Sequence, residues 1–285
     1  CTSGGDMLDL VAYKYTGNRL RDVRDYTEIK QFFQIKNFAQ VDVVEPQKEN
    51  IPEKDLKALL NSMEYRSVHQ GNNRHVDAYL RSRGIDPRLV QEASVFSPEF
   101  NYLSLKKVET SSGKMMPFWP YSWSRDYPLC VPLFNEKGKS KNFQGRAVTE
   151  LQSGRKTMCP VGFNMSGLVF ADWKVRAWLE DGSSSSTLWI VEGEIDFLHL
   201  CSIFHKDSQN SVIGVKNGSL PWFHKVKLPA SAQVYIATDN DEKGDEYAQR
   251  IAEALYPLKP KRLKLNDHSD INDALCDDQS IEDIL

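Results

Sequence analysis

The sequence predicts an α/β protein, in which a mainly parallel sheet flanked by helices follows a helical region and a small mixed α+β subdomain. Three observations predict this class. The last hundred residues alternate apolar strands with helices, which is typical of parallel sheets. Residues 96–170 instead contain short strands separated by glycine-containing turns. Residues 6–38 repeat apolar side chains mostly at helical spacing.

These elements divide the chain into three predicted parts. Residues 1–50 form a helical segment, in which the aperiodic stretch 41–54 with its two prolines begins a linker. Residues 51–183 form a subdomain of helices and short strands, and one helix ends at Gly84. Residues 184–285 form the sheet domain. Its predicted strands are 187–191, 211–215, 233–238 and 261–265, and its predicted helices are 194–205 and 242–255.

Composition narrows the class of protein. The chain has 285 residues, of which 40% are hydrophobic, and a net charge of −3, so it can bury a core and has no overall basic field. Its five cysteines form no C-x-x-C pair, which argues against a zinc knuckle and a disulfide framework. We find neither an apolar run of about 20 residues nor a signal peptide, and therefore expect a cytoplasmic protein without a membrane partner. Because the chain begins with cysteine, we expect it to be a fragment of a longer protein.

Carboxylates fall where two predicted strands end. Glu192 closes the first strand, and Asp239 and Asp241 follow a later one. Ligands of parallel sheets bind beyond the carboxyl ends of the strands, and crowded carboxylates favour a hard cation such as Mg²⁺ or Mn²⁺. Asp241 precedes a helix, so a helix cap explains it equally well. Glu194 is interpreted as a solvated first-turn residue, and Asp196 as either an acid beside the site or a surface residue.

Two motifs carry a resemblance to a known family. Val191–Asp196, followed by Asp239–Gly244, resembles the TOPRIM fold of DnaG-type primases, topoisomerases and small nucleases. Three further segments are similar to DnaG-type primase cores: Val76–Ile85, Pro128–Gly138 and Phe143–Ala147. Residues 3–11 resemble the exit from a primase zinc-binding module, with Cys1 as its last cysteine. We therefore expect zinc only in that module, outside the sequence given.

The resemblance implies a function and a set of site residues. It implies that Glu192, Asp239 and Asp241 bind Mg²⁺ or Mn²⁺ and catalyse nucleotidyl transfer, with Asp196 and Asp270 near the metals. The implied reaction is the synthesis of RNA primers from ribonucleoside triphosphates on a single-stranded DNA template. A replicative helicase is the implied protein partner.

The middle of the chain has the opposite charge. Residues 101–160 contain ten basic residues against four acids, so we expect a basic surface that binds nucleotide or template. Arg146 and Lys156 match basic positions of the family, and we expect Lys141 and Arg125 to join them. Four aromatic residues could stack on unpaired bases: Phe118, Trp119, Tyr121 and Trp123. For Trp119 and Trp123 a place in the core is the better interpretation.

Three residues depart from the family pattern, namely Asn240, Gln144 and Asn272. These departures fit a divergent primase of a plasmid, a phage or another mobile element. Two other functions stay open. A TOPRIM nuclease would use the same acids to activate water, and a non-catalytic module would bind single strands with the fold alone. A type IA topoisomerase fits less well, because its tyrosine nucleophile lies in a separate domain.

Overall fold

The computed structural model describes residues 65–67, 73–96, 107–109, 113–162, 165–182, 186–265, 267–277 and 280–285. The predicted helices of residues 6–38, the linker 41–54 and the helix around Leu56–Met63 lie outside these ranges. Chain contacts divide the protein into Cys1–Glu49 and Asn50–Leu285. The fold below is that of the second unit, and the predicted boundary at residues 183 and 184 stays a prediction.

The described residues of the first part of this unit form seven strands and two α-helices. In chain order they are β1 (Tyr65–Ser67), α1 (Arg74–Ser82), β2 (Ser94–Phe96), β3 (Lys107–Glu109), β4 (Met115–Pro117), α2 (Tyr121–Asp126), β5 (Leu129–Phe134), β6 (Ser140–Arg146) and β7 (Thr157–Met158). The strand order β1-β2-β5-β6-β7 makes an antiparallel sheet, and β3 pairs with β4. The short strands predicted for the middle of the chain are therefore present.

Helix α1 shows how local sequence sets its limits. The Asn73 side chain accepts from the backbone N–H groups of His75 and Val76, which satisfies donors of the first turn. Val76 and Leu80 are one turn apart and face the core. Gly84 has a φ of 72°, so the chain leaves the helix through a left-handed residue, as the sequence predicted.

The second part contains the parallel sheet. Its elements are β8 (Phe170–Ala171), α3 (Trp173–Asp181), β9 (Thr187–Glu192), α4 (Gly193–Ile203), β10 (Asn210–Val215), α5 (Leu220–Phe223), β11 (Gln233–Ala237), α6 (Glu242–Ala254), β12 (Lys261–Arg262), α7 (Ile271–Cys276) and α8 (Ile281–Ile284). The strand order is β12-β11-β9-β10-β8, with only β8 antiparallel to its neighbour. The predicted α/β class is confirmed, although β12 is shorter than the predicted strand 261–265.

One hydrophobic core extends through both sheets. It joins Leu129 and Val131 of β5 to Trp189 of β9 and to the buried side of α4. A second core covers the other face of the parallel sheet, with Trp222 of α5 and Ile251 of α6. The two sheets therefore pack around α4, and the residues at its N-terminus lie between them.

The described cysteines are free thiols, namely Cys130, Cys159, Cys201 and Cys276. This agrees with the expected absence of a disulfide framework in that part of the chain. No helix in the described ranges has both the length and the apolar character needed to cross a membrane.

Candidate active site

The parallel sheet brings Glu192 and Asp239 to one edge. Glu192 is the last residue of β9, and Asp239 follows the end of β11 by two residues. The register pairs Ala237 with Val191, so both strands end at the same level. The backbone N–H of Asp239 donates a hydrogen bond to the Glu192 carboxylate. The convergence expected from the strand ends is thus present.

Glu192 has an unusual environment for a carboxylate. Its Oε2 atom is buried and has no hydrogen-bond partner among the described residues. Burial raises the pKa of Glu192, and the charge of Asp241 raises it further, while the N–H of Asp239 opposes the shift. An unsatisfied buried oxygen costs free energy unless something outside the chain satisfies it.

Asp239 has a strongly raised pKa at this edge. Burial and the charges of Glu192, Asp270 and Asp241 together raise its pKa to about 7. Arg262 opposes this shift, and its guanidinium donates to the carbonyls of Thr238 at 2.8 Å and Asp239 at 2.9 Å. The carboxylates therefore repel one another in a partly buried region, and the positive charge of Arg262 offsets only part of this repulsion.

Asp241 serves as a helix cap. Its Oδ1 accepts from the backbone N–H of Gly244 at 2.6 Å and so satisfies the first turn of α6. Gly244 lies so close to Asp239 that a Cβ at this position would overlap the Asp239 carbonyl. The cap that the sequence analysis left open is present, and it holds Asp241 beside the Asp239 backbone.

Asp196 and Asp270 extend the acidic region. Asp196 lies in the first turn of α4 and is buried, and burial together with the charges of Asp270 and Asp239 raises its pKa well above the usual range. Asp270 caps α7 by accepting from the N–H of Asp273 at 2.7 Å. Of the two interpretations of Asp196, a surface residue is wrong, because the side chain is buried.

The donor set suits a hard divalent cation. It contains only carboxylates, and one of its oxygens, Oε2 of Glu192, is buried without a partner in the described part of the chain. Within the described ranges, the side chains do not form a preassembled cluster of three or more metal-ligating groups. The cap made by Asp241 accounts for part of this, since its Oδ1 is turned toward Gly244. The residues present therefore fit Mg²⁺ or Mn²⁺ in chemical type.

The predicted basic residue Arg146 makes an ion pair within the protein. Its guanidinium donates to Glu194 Oε1 and to the hydroxyl of Tyr79, and Gln144 Nε2 donates to Glu194 Oε2 at 2.8 Å. The interpretation of Glu194 as a solvated residue is wrong, because the side chain is only 4% exposed. Its partners come from β6, on the other sheet, where Gln144 and Arg146 alternate onto one face.

The other predicted basic residues lie apart from this pair. Lys156 is exposed, and its carbonyl accepts from the N–H of Ala147 at 2.9 Å, which places it beside the end of β6. Lys141 lies near the opposite end of β6. Arg125 is exposed on α2 and pairs with Asp126. The structure thus brings Arg146 and Lys156 together, and places Lys141 and Arg125 elsewhere on the subdomain.

The aromatic residues of this subdomain are mostly internal. Trp119 is buried, packs edge to face against Trp123 and Phe143, and donates from its indole to Ser124. Phe118 is buried as well, whereas Trp123 is partly exposed. The side chain of Tyr121 lies outside the described residues. The core interpretation of Trp119 is confirmed.

Two residues near the carboxyl edge of the parallel sheet, Glu194 and Lys216, were not predicted to belong to the site. The sequence indicates a solvated first-turn residue at Glu194, and local spacing says nothing about its partner 48 residues earlier in the chain. Lys216 directly follows β10, at the same carboxyl edge of the sheet as Glu192. The rule that ligands bind beyond strand ends could have identified Lys216, since it applies to basic residues as well as to acids.

Comparisons with known proteins support the fold. Residues 189–275 match the family model described as Toprim-like. The primase of Aquifex aeolicus, with zinc binding and RNA polymerase domains, superposes with a TM-score of 0.53 at 18% identity, over 96% of this chain and 68% of that one. A DnaG primase catalytic domain bound to single-stranded DNA superposes with a TM-score of 0.56 at 15% identity, over 81% of this chain and 79% of that one. The E. coli primase catalytic core superposes with a TM-score of 0.52 at 15% identity, over 79% of this chain and 77% of that one.

No curated protein sequence matches the chain significantly. At these identities the structural matches establish the fold. Residues 189–275 therefore resemble a Toprim-like domain, and the fold that contains them is similar to that of primase catalytic cores.

Proposed function

We propose that this chain is the catalytic core of a DNA primase, which synthesises RNA primers on single-stranded DNA by metal-dependent nucleotidyl transfer. The observation that carries the proposal is the buried Oε2 of Glu192, which has no hydrogen-bond partner among the residues that the structure describes and lies at the carboxyl edge of a region that matches a Toprim-like model. In the proposed reaction a 3′-oxygen bonds to the α-phosphorus of a ribonucleoside triphosphate, and pyrophosphate leaves.

The proposed catalytic residues are Glu192, Asp239 and Asp241, which would hold Mg²⁺ or Mn²⁺. When bound, such ions neutralise phosphate charge and favour the ionised form of the attacking hydroxyl. Asp196 and Asp270 adjoin these acids and raise the local negative charge, which supports their proposed role near the metals. Oδ1 of Asp241 accepts the hydrogen bond from Gly244. Asp241 would therefore ligate a cation through its other oxygen, or through Oδ1 after this hydrogen bond is released.

The proposed nucleic-acid surface contains Lys156, Arg146, Lys141 and Arg125. Lys156 is exposed beside the end of β6 and would contact phosphate directly. Arg146 is tied to Glu194, and its guanidinium has further donors that could reach a nucleotide at the edge of the pair. Lys141 and Arg125 would extend contacts along the template.

The proposed biological setting rests on the divergence of the chain from known primases. The identities of 15% and 18% to primase structures, together with Asn240, Gln144 and Asn272, support a divergent branch. We place it with primases of plasmids, phages or other mobile elements, acting with a replicative helicase in the cytoplasm.

A primer-synthesis assay tests the proposal. The chain is incubated with single-stranded DNA, labelled ribonucleoside triphosphates and Mn²⁺, and the products are resolved by size. Glu192→Gln and Asp239→Ala should abolish synthesis while circular dichroism shows a retained fold. Glu246→Gln is the matched control, because Glu246 is an exposed acid on α6, and it should leave synthesis unchanged.

Other outcomes identify other functions. Synthesis that persists in Glu192→Gln or Asp239→Ala would refute the proposed site. Metal-dependent cleavage of single-stranded DNA without nucleotides would assign a nuclease. Binding of single strands that is indifferent to both substitutions, without synthesis, would assign a non-catalytic module.

A further inference from the structure

Lys216 is fixed at the carboxyl edge beside Glu192. It follows Val215, the last residue of β10, and Val215 is the register partner of Glu192. Neighbouring strands lie about 4.8 Å apart, so Lys216 begins within one residue of the acidic edge. Its backbone N–H donates to Ser219 Oγ at 3.1 Å, and its carbonyl accepts from the Tyr247 hydroxyl at 2.9 Å. These bonds anchor the main chain from which the lysine side chain extends.

The Lys216 ammonium has few partners. It donates to the carbonyls of Met165 at 3.4 Å and Asn217 at 3.2 Å, both near the long limit of a hydrogen bond. In the described part of the chain it pairs with no carboxylate, although the residue is only partly exposed. An ammonium has three donors, and a partly buried charge without a counterion is costly. This group therefore has both the capacity and the energetic need for an anion.

The surrounding charges indicate which anion fits. Glu194, an acid that faces the antiparallel sheet, is already paired with Arg146 and hydrogen-bonded by Gln144. Cys159 lies between this network and Lys216, since its thiol is close to Gln144 Oε1 and interacts electrostatically with Lys216. A polyphosphate suits the place, because it carries several negative charges that could be shared between Lys216 and a cation held by Glu192 and Asp239, whereas a carboxylate has only one charge to share.

We propose that Lys216 binds the triphosphate of the incoming ribonucleotide at the edge between the two sheets. This inference rests on the proposed function and names a residue in its substrate site. The ligand class is a polyphosphate nucleotide, recognised by its charge and not by its base. Lys216 would thus make the enzyme distinguish nucleoside triphosphates from nucleosides.

Equilibrium binding measures this contact separately from synthesis. ATP and adenosine are titrated in the presence of Mn²⁺ against the unaltered chain, Lys216→Met and Lys216→Gln. A hydrogen bond between charged groups corresponds to at least about a tenfold change in affinity. We expect ATP binding to weaken by about that factor in both variants and adenosine binding to stay the same. Lys216→Gln keeps a donor for the two carbonyls, so it tests the charge if Lys216→Met does not fold.

Controls separate this inference from the proposed function. Lys225→Met removes an exposed lysine of the same segment and should leave ATP binding unchanged. If ATP binding is weakened only in the Lys216 variants, the inference stands even where the chain makes no primers. Equal ATP affinity in Lys216→Gln and the unaltered chain would overturn it, even where primers are made. A chain that does not bind ATP at all would also overturn it.

Discussion

The guanidinium of Arg146, the last residue of β6, donates to the buried carboxylate of Glu194 in the first turn of α4. The two side chains are 15% and 4% exposed; Arg146 belongs to the antiparallel sheet, and Glu194 belongs to the helix that follows β9 of the parallel sheet. Gln144 occupies the second oxygen of the same carboxylate. The pair therefore holds the antiparallel sheet against α4, the helix that follows Glu192. Loss of this ion pair would move the acidic edge relative to Lys156.

Breaking this pair should destabilise the protein strongly. Arg146→Met leaves Glu194 buried without its cation, and loss of one partner of a buried pair costs about 3–5 kcal/mol. Arg146→Met/Glu194→Leu removes both charges and should recover a large part of that loss in urea denaturation. Arg125→Met is the control, because its pair with Asp126 is mostly exposed, and it should cost less than about 1 kcal/mol. Strictly additive effects in the double variant would contradict the coupling.

Gly244 is expected to tolerate no side chain. Alanine normally stabilises a helix over glycine by about 0.5–1 kcal/mol, and Gly244 lies in the first turn of α6. Here a Cβ would overlap the Asp239 carbonyl, and overpacking costs about 1–3 kcal/mol. Gly244→Ala should therefore lower the free energy of unfolding and weaken Mn²⁺ binding by displacing Asp239. Glu246→Ala, on the exposed face of the same helix, should do neither, and a stabilised Gly244→Ala would show that the close approach is absent.

The parallel sheet was predictable because each strand is a short apolar run bounded by polar residues. The strand predicted at 187–191 ends one residue later at Glu192, and the strand predicted at 211–215 starts one residue earlier. The carboxylates Glu192 and Asp239 followed from these strand ends. The edge strands were harder, since β8 and β12 have two residues each and leave almost no periodic pattern.

The burial of Glu194 was not predictable from local pattern. Residues 194–202 of α4 are all buried. The helix therefore lacks the division into an apolar face and a charged face from which the burial of a residue is usually predicted. The partners of Glu194 lie 48 and 50 residues earlier, on another sheet. Spacing within one element carries no information about such a contact.

The three departures from the family pattern also have structural explanations that only the fold supplies. Gln144 donates to Glu194, Asn240 donates through its side chain to the His268 carbonyl at 3.1 Å, and Asn272 donates to the Arg83 carbonyl at 2.7 Å. Each amide thus satisfies an acceptor that a glycine or a carboxylate could not.

Asn272 should control the ionisation of His199. Its Nδ2 lies 2.7 Å from Nδ1 of His199, and burial lowers the pKa of His199 to about 4. Asn272→Asp replaces this donor by an anion, which favours the imidazolium, so the pKa of His199 should rise. The lost bond to Arg83 should also cost about 1–3 kcal/mol. Titration of the His199 ring by NMR measures the pKa.

Asn272→Ala is the comparison for this change. It removes the same donors without adding a charge, and burial should keep the pKa of His199 low. A pKa of His199 that is equal in the alanine and aspartate variants would show that Asn272 does not govern it.

Asp239 should make stability depend on pH in metal-free buffer. Its pKa is about 7 in the folded chain and near its ordinary value in the unfolded chain, so the folded chain binds the proton more tightly. Raising the pH between those two values therefore lowers the free energy of unfolding. Asp239→Asn removes this titration. It should be more stable than the unaltered chain at pH 8 in EDTA, by on the order of 1 kcal/mol after allowance for solvent screening, and the difference should vanish below about pH 4.

Divalent metal should reverse this order. A cation that binds the ionised acids stabilises the folded chain in proportion to the logarithm of its concentration over its dissociation constant. Urea denaturation at pH 8 with Mn²⁺ should therefore show the unaltered chain gaining stability and Asp239→Asn gaining little. Because binding displaces the proton of Asp239, the Mn²⁺ affinity of the unaltered chain should increase as the pH rises through about 7. An affinity that is flat from pH 6 to pH 8 would mean that Asp239 does not ligate the ion.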